Sequence, residues 1–489
     1  MERLPEAEVL VVGAGPNGLA AAIEMSRAGY QTVVIERRAS PGGGVRSAEL
    51  TRPGFVHDVC AAIFPMGVGS PFFENLALDD HGLEWVHPRV PLAHVMDGGV
   101  AVVLDRSIWR TAKGLGEDEG AYIDLMNPLV QDWHGLLGDI LSPLYSVRHP
   151  AALARFAWRA KHSAAGLAQK WMRGERARAL LAGLAAHSLL PMENLVSGAF
   201  ALVLGMLGHG VGWPFPRGGA QRLSDAMGSY FRAQGGQIVT GVHIRSLSKL
   251  PMARAVLLNV TPKQLGSIGG WWLPHLYRRQ LGSYRYGPGV FKIDWALDGP
   301  IPWQAQECLQ AGTVHVGGTF EEIAAGERAV ARGEHPARPF VLLAQPSLFD
   351  VSRAPAGAQT AWAYCHVPNG SKVDMTERIE RQIERFAPGF ARRIIGRHTR
   401  TAAQLEQENP NCVGGDINGG MADIRQLFTR PAVRHDPYRT PVKNLYVCSS
   451  ATPPGGGVHG MCGYHAARSA VEDLQRAGGQ AVRQRLSHG

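Results

Sequence analysis

The run Glu8-Val9-Leu10-Val11-Val12-Gly13-Ala14-Gly15-Pro16-Asn17-Gly18 decides the fold of this chain. Four apolar residues ending at glycine read as a short parallel strand buried on both faces. Leu19 to Ala28 is alanine-rich and helical, and Gly29 is a stop signal. Thr32 to Ile35 is a second, β-branched strand closed by Glu36. Together they make a β-α-β unit of about 30 residues. Gly13 allows the tight turn, Gly15 lets the backbone approach a pyrophosphate, and Gly18 allows close packing of helix on strand. Pro16 and Asn17 open the helix whose N-terminus would face the phosphate charge. Glu36, with Arg37 beside it, stands where a carboxylate can accept hydrogen bonds from ribose hydroxyls. The unit binds a dinucleotide on this reading.

A second glycine turn selects the nucleotide. Gly42-Gly43-Gly44-Val45-Arg46-Ser47 comes six residues after Glu36. Gly43 and Gly44 suggest a second wrap around the same pyrophosphate, with Arg46 adding a charge-assisted contact. The competing reading is a surface loop with a solvated arginine.

Composition sets outer bounds. Of 489 residues, 45% are hydrophobic and 19% charged, as in ordinary globular proteins. Glycine is abundant, at 60 residues, but no G-X-Y period accompanies it, which excludes collagen. The six cysteines are scattered with no CxxC, which argues against a zinc site or a redox dithiol and for reduced thiols. No metal site is expected. The opening residues Met1–Pro5 carry no apolar signal core, so the expected location is cytoplasmic. The net charge of +9 is concentrated between Arg148 and Arg178, where eight basic residues face one acid, with Trp158 and Trp171 interleaved. Peripheral contact with an anionic membrane and a homo-oligomer interface are both open readings of that segment. Nucleic acid is not, since no binding motif accompanies it.

The pairing of Gly13–Gly18, Glu36 and Gly43–Arg46 resembles the glutathione-reductase-type FAD fold, in its amine oxidase and carotenoid desaturase branch. Asn444–Gly460, with Ser449-Ser450 and Pro453-Pro454-Gly455-Gly456-Gly457-Val458-His459, resembles the closing flavin motif of phytoene desaturases and of the pyridine nucleotide-disulfide oxidoreductase domain-containing protein 2 group. Gly212–Gly219 resembles the family's return into the FAD domain, and Val242-His243-Ile244 the strand that meets the adenine. The resemblance implies an α/β fold: a glutathione-reductase-type, Rossmann-like FAD-binding domain with an inserted α+β substrate domain. It implies FAD as cofactor, with Ile244, Ser450, Gly456, Gly457, Val458 and Met461 joining the residues above. The family often has glycine and an acid where this chain has Ser449-Ser450, so no carboxylate contact to the ribityl chain is implied. No disulfide chemistry carries over without CxxC. No second GxGxxG in strand–helix context is present, so no separate NAD(P)H domain is expected.

Residues 1–75, 212–265 and 405–489 are read as the discontinuous FAD domain, and 76–211 with 266–404 as the substrate domain. Residues 120–210 look helical. Strands are expected at Gln237–Leu247, Ala255–Val260, Gly289–Trp295, Phe340–Ala344 and Asn444–Cys448, and a last helix from about Tyr464. The apolar stretch Leu195–Leu207 is too short to span a bilayer and reads as a pocket wall. The expected activity is removal of hydride from, or isomerisation of, a hydrophobic substrate, with flavin N5 as acceptor. His57, His459 and His465 are candidates for proton transfer, each with an equally available structural role. The alternatives are a flavin amine oxidase, for which Tyr464 and Trp213 would form the aromatic cage, and a non-catalytic flavoprotein that binds a partner.

Overall fold

Val9–Val12 lies at the centre of a five-stranded parallel sheet. The order is Leu445–Val447, Ala255–Leu258, Val9–Val12, Thr32–Ile35, Gln237–Val239. The computed structural model describes residues 4–486; the first residues of the N-terminal reading, Met1–Arg3, and the outer domain limits 1 and 489 fall outside them. Short β-branched runs with no polar side belong between layers. Helices Pro16–Arg27 and Met461–Leu486 cover one face and pack on each other. Gly463 permits this, since a Cβ there would overlap the Asn17 carbonyl. On the other face Leu10, Val12, Val33 and Ile35 pack against Leu265, Tyr277 and Leu281.

Several boundaries differ from the sequence reading. The first helix begins at Pro16, not Leu19, because proline's fixed φ suits the first turn. The strand expected over Gln237–Leu247 stops at Val239. Gly241 turns there with φ 75°, and Val242 continues beside the first domain through a bond from its N–H to the Glu36 carbonyl, 2.9 Å. The final helix begins at Met461.

A second sheet has seven strands, in the order Ile394–Arg400, Gly289–Leu297, Gln359–Val367, Val341–Ala344, Ala311–Val316, Val90–Met96, Val100–Leu104. All pairs are antiparallel except Ala311–Val316 with Val90–Met96. Its register places Arg400, Lys292, Tyr364, Leu342, His315 and His94 in one row, and directly opposed residues share a face. The opposite face is apolar, with Phe291, Ile293, Val314 and Leu343, and is closed by Ile379 and Ile383 of helix Thr376–Phe386. Helices between Glu119 and Gly210 pack on the polar-row side, with Glu175–Ala186 and Leu195–Gly210 as its inner layer.

One buried ion pair ties the two sheets' segments together. Asp58 accepts from Arg353 Nη2 at 2.8 Å, from Ser47 Oγ at 2.8 Å and from the Ala220 N–H at 2.7 Å. Arg353 also donates to the Val56 carbonyl. Breaking such a pair from one side leaves an uncompensated buried charge and costs about 3–5 kcal/mol.

Candidate functional site

The glycine turn opens onto a cavity of about 390 Å³. Gly13, Gly15, Pro16, Asn17, Glu36, Arg37, Gly43, Gly44, Ile244, Ser450, Gly457 and Val458 line it, so the structure brings together segments spread over the whole chain. Gly456 lines a neighbouring cavity instead. Gly18, Arg46 and Met461 line neither. A Cβ at Gly18 would overlap the Gly13 carbonyl, so its part is packing within the turn. Arg46 donates through Nε to the Gly43 carbonyl at 2.8 Å, and burial lowers its guanidinium's pKa. The Met461 N–H donates to His459 Nδ1 at 3.0 Å.

The donor set fits a dinucleotide. Helix Pro16–Arg27 starts at Gly15 with no side-chain cap and no acid in its first turn, which leaves its positive end open to a phosphate. The buried Asn17 Oδ1 has no hydrogen-bond partner among the described residues, and Thr261 turns its hydroxyl to the same space. Both residues line the cavity. Glu36 is buried at the end of its strand; it accepts from the Ala14 N–H at 2.8 Å and the Arg38 N–H at 2.9 Å, and each oxygen keeps a second lone pair.

Sequence reading missed a third wall. Asn259, Thr261 and the segment from Glu408 to Gly419 line the same cavity. Asn411 knits them together: Oδ1 accepts from the Thr261 N–H at 3.1 Å and Nδ2 donates to the Asn259 carbonyl at 3.0 Å. Asp416 shapes the following turn by accepting from the N–H groups of Gly287, Asn418 and Gly420, while burial pushes its carboxyl's pKa up. The turn-rich run Asn409-Pro410-Asn411 and Gly414-Gly415-Asp416 was the available signal. Cys60 and Cys412 also meet on this wall, although nothing in their spacing pairs them. Both are free thiols. The Cys412 thiol, against the effect of burial and with help from Lys292, Arg400 and Arg46, holds Cys60 down to about 7.

A second cavity, of about 520 Å³, adjoins the first. Its wall is mostly apolar, with Phe64, Phe156, Phe200, Leu204 and Trp213. Helix Leu195–Gly210 contributes five lining residues, so the stretch read as a pocket wall stands in one. Ile63, His187, Leu342, Asn418, Gly457 and Val458 line both cavities and mark where they meet. None of the lining residues of the apolar cavity is an aspartate or glutamate; Arg430 and Arg434 are among them.

The three histidines singled out in the sequence line neither cavity. His57 is buried with Nε2 against Thr51 Oγ1, and burial, offset in part by Asp294, brings its pKa down to about 4. His459 accepts the Met461 N–H on Nδ1 and has Nε2 on the Gly455 carbonyl, so both its nitrogens hold the glycine turn in shape. His465 has Nε2 on the Leu141 carbonyl at 3.0 Å and stacks on Tyr438. Tyr464 does not line the apolar cavity, so Tyr464 and Trp213 form no cage there. The titratable side chain at the junction is His187, which the sequence reading did not weigh.

Comparison with known proteins agrees with this geometry. The NAD(P)-binding Rossmann-like domain family matches residues 11–76. Pyridine nucleotide-disulfide oxidoreductase domain-containing protein 2 of Rattus norvegicus is 26% identical, over 96% of this chain and 94% of its own length. A lycopene-forming phytoene desaturase of a Paracoccus species is 23% identical, over 93% of this chain and 95% of its own. Among solved structures, wild-type putrescine oxidase bound to putrescine superposes with a TM-score of 0.61 at 16% identity, covering 96% of this chain and 99% of that one. The last likeness is one of fold alone.

Proposed function

We propose that this FAD-dependent oxidoreductase, similar to phytoene desaturases and to pyridine nucleotide-disulfide oxidoreductase domain-containing protein 2, dehydrogenates or isomerises an apolar substrate. The supporting observation is the junction: the cavity at the glycine turn and the apolar one share the Gly457–Val458 turn. FAD supplies the hydride acceptor. The chain's own work is to hold the cofactor along Gly13–Asn17, Glu36 and Gly43–Gly44, to seat the substrate against Phe200, Leu204 and Trp213, and to keep water from the space between. The amine oxidase alternative is weaker, because an ammonium substrate would meet Arg430 and Arg434 and no carboxylate on this wall.

The test is anaerobic bleaching of the bound flavin by phytoene, by oleic acid and by putrescine, with NADH as a fourth arm. An apolar compound is expected to bleach it, putrescine and NADH to leave it oxidised over the same time. Bleaching by putrescine alone would reverse the assignment. Rapid bleaching by micromolar NADH would show a nucleotide site beyond the single fingerprint.

Membrane contact belongs to the same proposal. Among the described residues no helix is long and apolar enough to cross a membrane. The mouth of the apolar cavity carries exposed Tyr145 and Phe428, and Phe156 of helix Pro150–Ala160 lines it. Trp158 of that helix is exposed, with Lys161 Nζ 3.1 Å from its ring centre. Part of the basic segment is neutralised within the chain: Arg155 pairs with Asp132, and Arg178 with Glu321 at 2.9 Å. The attraction to anionic lipid is therefore smaller than the local sequence count implies, at about 1 kcal/mol per cation still free. Flotation with anionic vesicles is expected to carry the protein at low salt and release it at high salt. Equal failure with anionic and neutral vesicles would leave the basic face as a subunit contact or a solvated surface.

A further inference from the structure

We propose that His187 is the catalytic base at the junction of the two cavities, and that His315 and His94 behind it fix which of its nitrogens carries the lone pair. The inference rests on the apolar-substrate reading above and adds the residue that takes the proton.

His187 caps the C-terminus of helix Glu175–Ala186 and is the one titratable side chain among the six residues that line both cavities. Trp213, a wall residue of the apolar cavity, meets its ring edge-on at 5.4 Å between centroids. Removing two hydrogens from adjacent carbons breaks two C–H bonds and forms one π bond. One hydrogen would leave with its electron pair, for which a bound flavin would be the acceptor; the other would leave as a proton and needs a base beside the same carbon pair. No other residue shared by the cavities can accept a proton at neutral pH.

The tautomers are set from the far end of the cluster. His94 Nε2 lies 2.8 Å from the Gly318 carbonyl oxygen, which can only accept. His94 therefore carries its proton on Nε2 and presents a lone pair on Nδ1. His315 stands beside it in register, on the neighbouring parallel strand. The two Nδ1 atoms converge under Gly183: a Cβ at that position would lie 2.5 Å from His315 Nδ1 and 2.7 Å from His94 Nδ1. Both are buried, and neither has a hydrogen-bond partner among the described residues. Two lone pairs brought to one spot repel, whereas an N–H on one is drawn to the lone pair on the other, so the proposed arrangement has the His315 proton on Nδ1 and its lone pair on Nε2. His187 Nε2 is 2.9 Å from that Nε2 and in this arrangement donates to it. This leaves His187 neutral, with its lone pair on Nδ1.

The surroundings keep it so. The other groups facing His187 are His366, whose Nδ1 is 2.7 Å from Glu327 Oε1, and the Trp213 ring. Burial, with His366 adding to it, brings the His187 pKa down to about 3, and burial with both neighbouring imidazoles holds His315 well below its ordinary value. A base of that strength stays unprotonated at neutral pH and serves a substrate carbon made acidic by hydride loss. Among the described residues no group of three His, Cys, Asp or Glu side chains is arranged to hold a metal ion.

The experiment uses the FAD-loaded full chain with histidine rings labelled with ¹⁵N, and His187→Gln, His315→Gln and His94→Gln for assignment. At pH 7.5 the expected pattern is a proton on Nε2 of His94, on Nδ1 of His315 and on Nε2 of His187, with none of the three charged. A proton on His187 Nδ1, or a charged His187, overturns the proposal without reference to any substrate. The second arm is kinetic: the apolar compound that bleaches the native flavin is expected to do so about 10²–10⁴ times more slowly in His187→Gln, with flavin content and substrate affinity kept. A loss under tenfold overturns the catalytic assignment. Gly183→Ala places a methyl against both Nδ1 atoms and touches neither cavity; it is expected to scramble the His187 tautomer while flavin occupancy holds. An unaltered tautomer there removes His315 and His94 from the account. If no apolar compound bleached the native protein, the proposed function would fail while the tautomer pattern still decided this inference.

Discussion

Lowering the pH from 7.5 to 4.5 is expected to unfold this protein, with the loss beginning near pH 6.5. Burial drives the pKa of His57, His94, His209, His459 and His465 down to about 4, and of His187 to about 3. In the unfolded chain each returns to about 6.5. Proton uptake sets the sign. Below pH 6.5 the unfolded chain binds protons that the folded chain refuses, so stability is complete above that value and falls until the folded values are reached. Each site contributes roughly 3 kcal/mol over its interval, at about 1.4 kcal/mol per unit. Two or three such sites already match the net stability of a folded domain, about 5–15 kcal/mol. Carbonyl partners such as Gly318 for His94 and Leu141 for His465 offset burial only in part. Carboxylates held low by partners, such as Glu8 with the Gln31 N–H and Asp97 with Arg385, weaken only in stronger acid. Urea unfolding followed by tryptophan fluorescence between pH 8 and 5 measures this as a slope of several kcal/mol per pH unit. Replacing His209, which pairs with the Tyr122 hydroxyl at 2.8 Å, by glutamine is expected to reduce the slope by about 1.4 kcal/mol per unit. A protein equally stable at pH 4.5 and 7.5 would show that these imidazoles charge without unfolding.

These histidines also show where sequence reading stops. The β-α-β unit was legible because its signals are local: an apolar run, three glycines at fixed offsets, an acid at a strand end. The cavity wall from Gly13 to Gly44 follows from that spacing. The seven-stranded sheet was only partly legible, since strands such as Val90–Met96 and Gln359–Val367 are buried on both faces and lack the alternation that marks a half-exposed strand. His57, His459 and His465 attracted notice through nearness in sequence to glycine motifs, but a side chain's direction is set by tertiary contacts. His187, His315 and His94 lie on a helix end and two strands, and only the pairing of Val90–Met96 with Ala311–Val316 brings two of them into one row. Cys60 and Cys412 meet for the same reason. Their proximity is a property of how the chain returns, which spacing does not encode.

Gly15→Val is expected to abolish FAD binding while the chain stays folded, and the glycines around it explain why this position separates the two. Gly13 has φ 98°, where a side chain strains the backbone, and a Cβ at Gly18 would overlap the Gly13 carbonyl. Substitution at either damages the turn itself. Gly15 has φ −72° and ψ 172°, an extended conformation open to any residue. A Cβ there would lie 3.0 Å from Asn259 Nδ2, a side-chain atom, and 3.8 Å from Gly43 Cα across the cavity. The Asn259 amide has only a long bond to the Gly13 carbonyl, 3.4 Å, to give up. The protein thus tolerates the valine with a small shift of Asn259, but the two γ-methyls occupy the gap between Gly15 and Gly43 through which a pyrophosphate must reach the helix N-terminus. Hydrogen bonds to a charged group contribute about 1.5–3 kcal/mol each. Losing two of them lowers FAD affinity by roughly 10²–10⁴-fold. The purified variant should be colourless, with far-ultraviolet circular dichroism close to that of the native apoprotein, and should stay colourless after incubation with excess FAD. Gly18→Val in parallel is expected to give little soluble protein. A yellow Gly15→Val protein with full flavin content would place the pyrophosphate elsewhere and undo the assignment of this cavity.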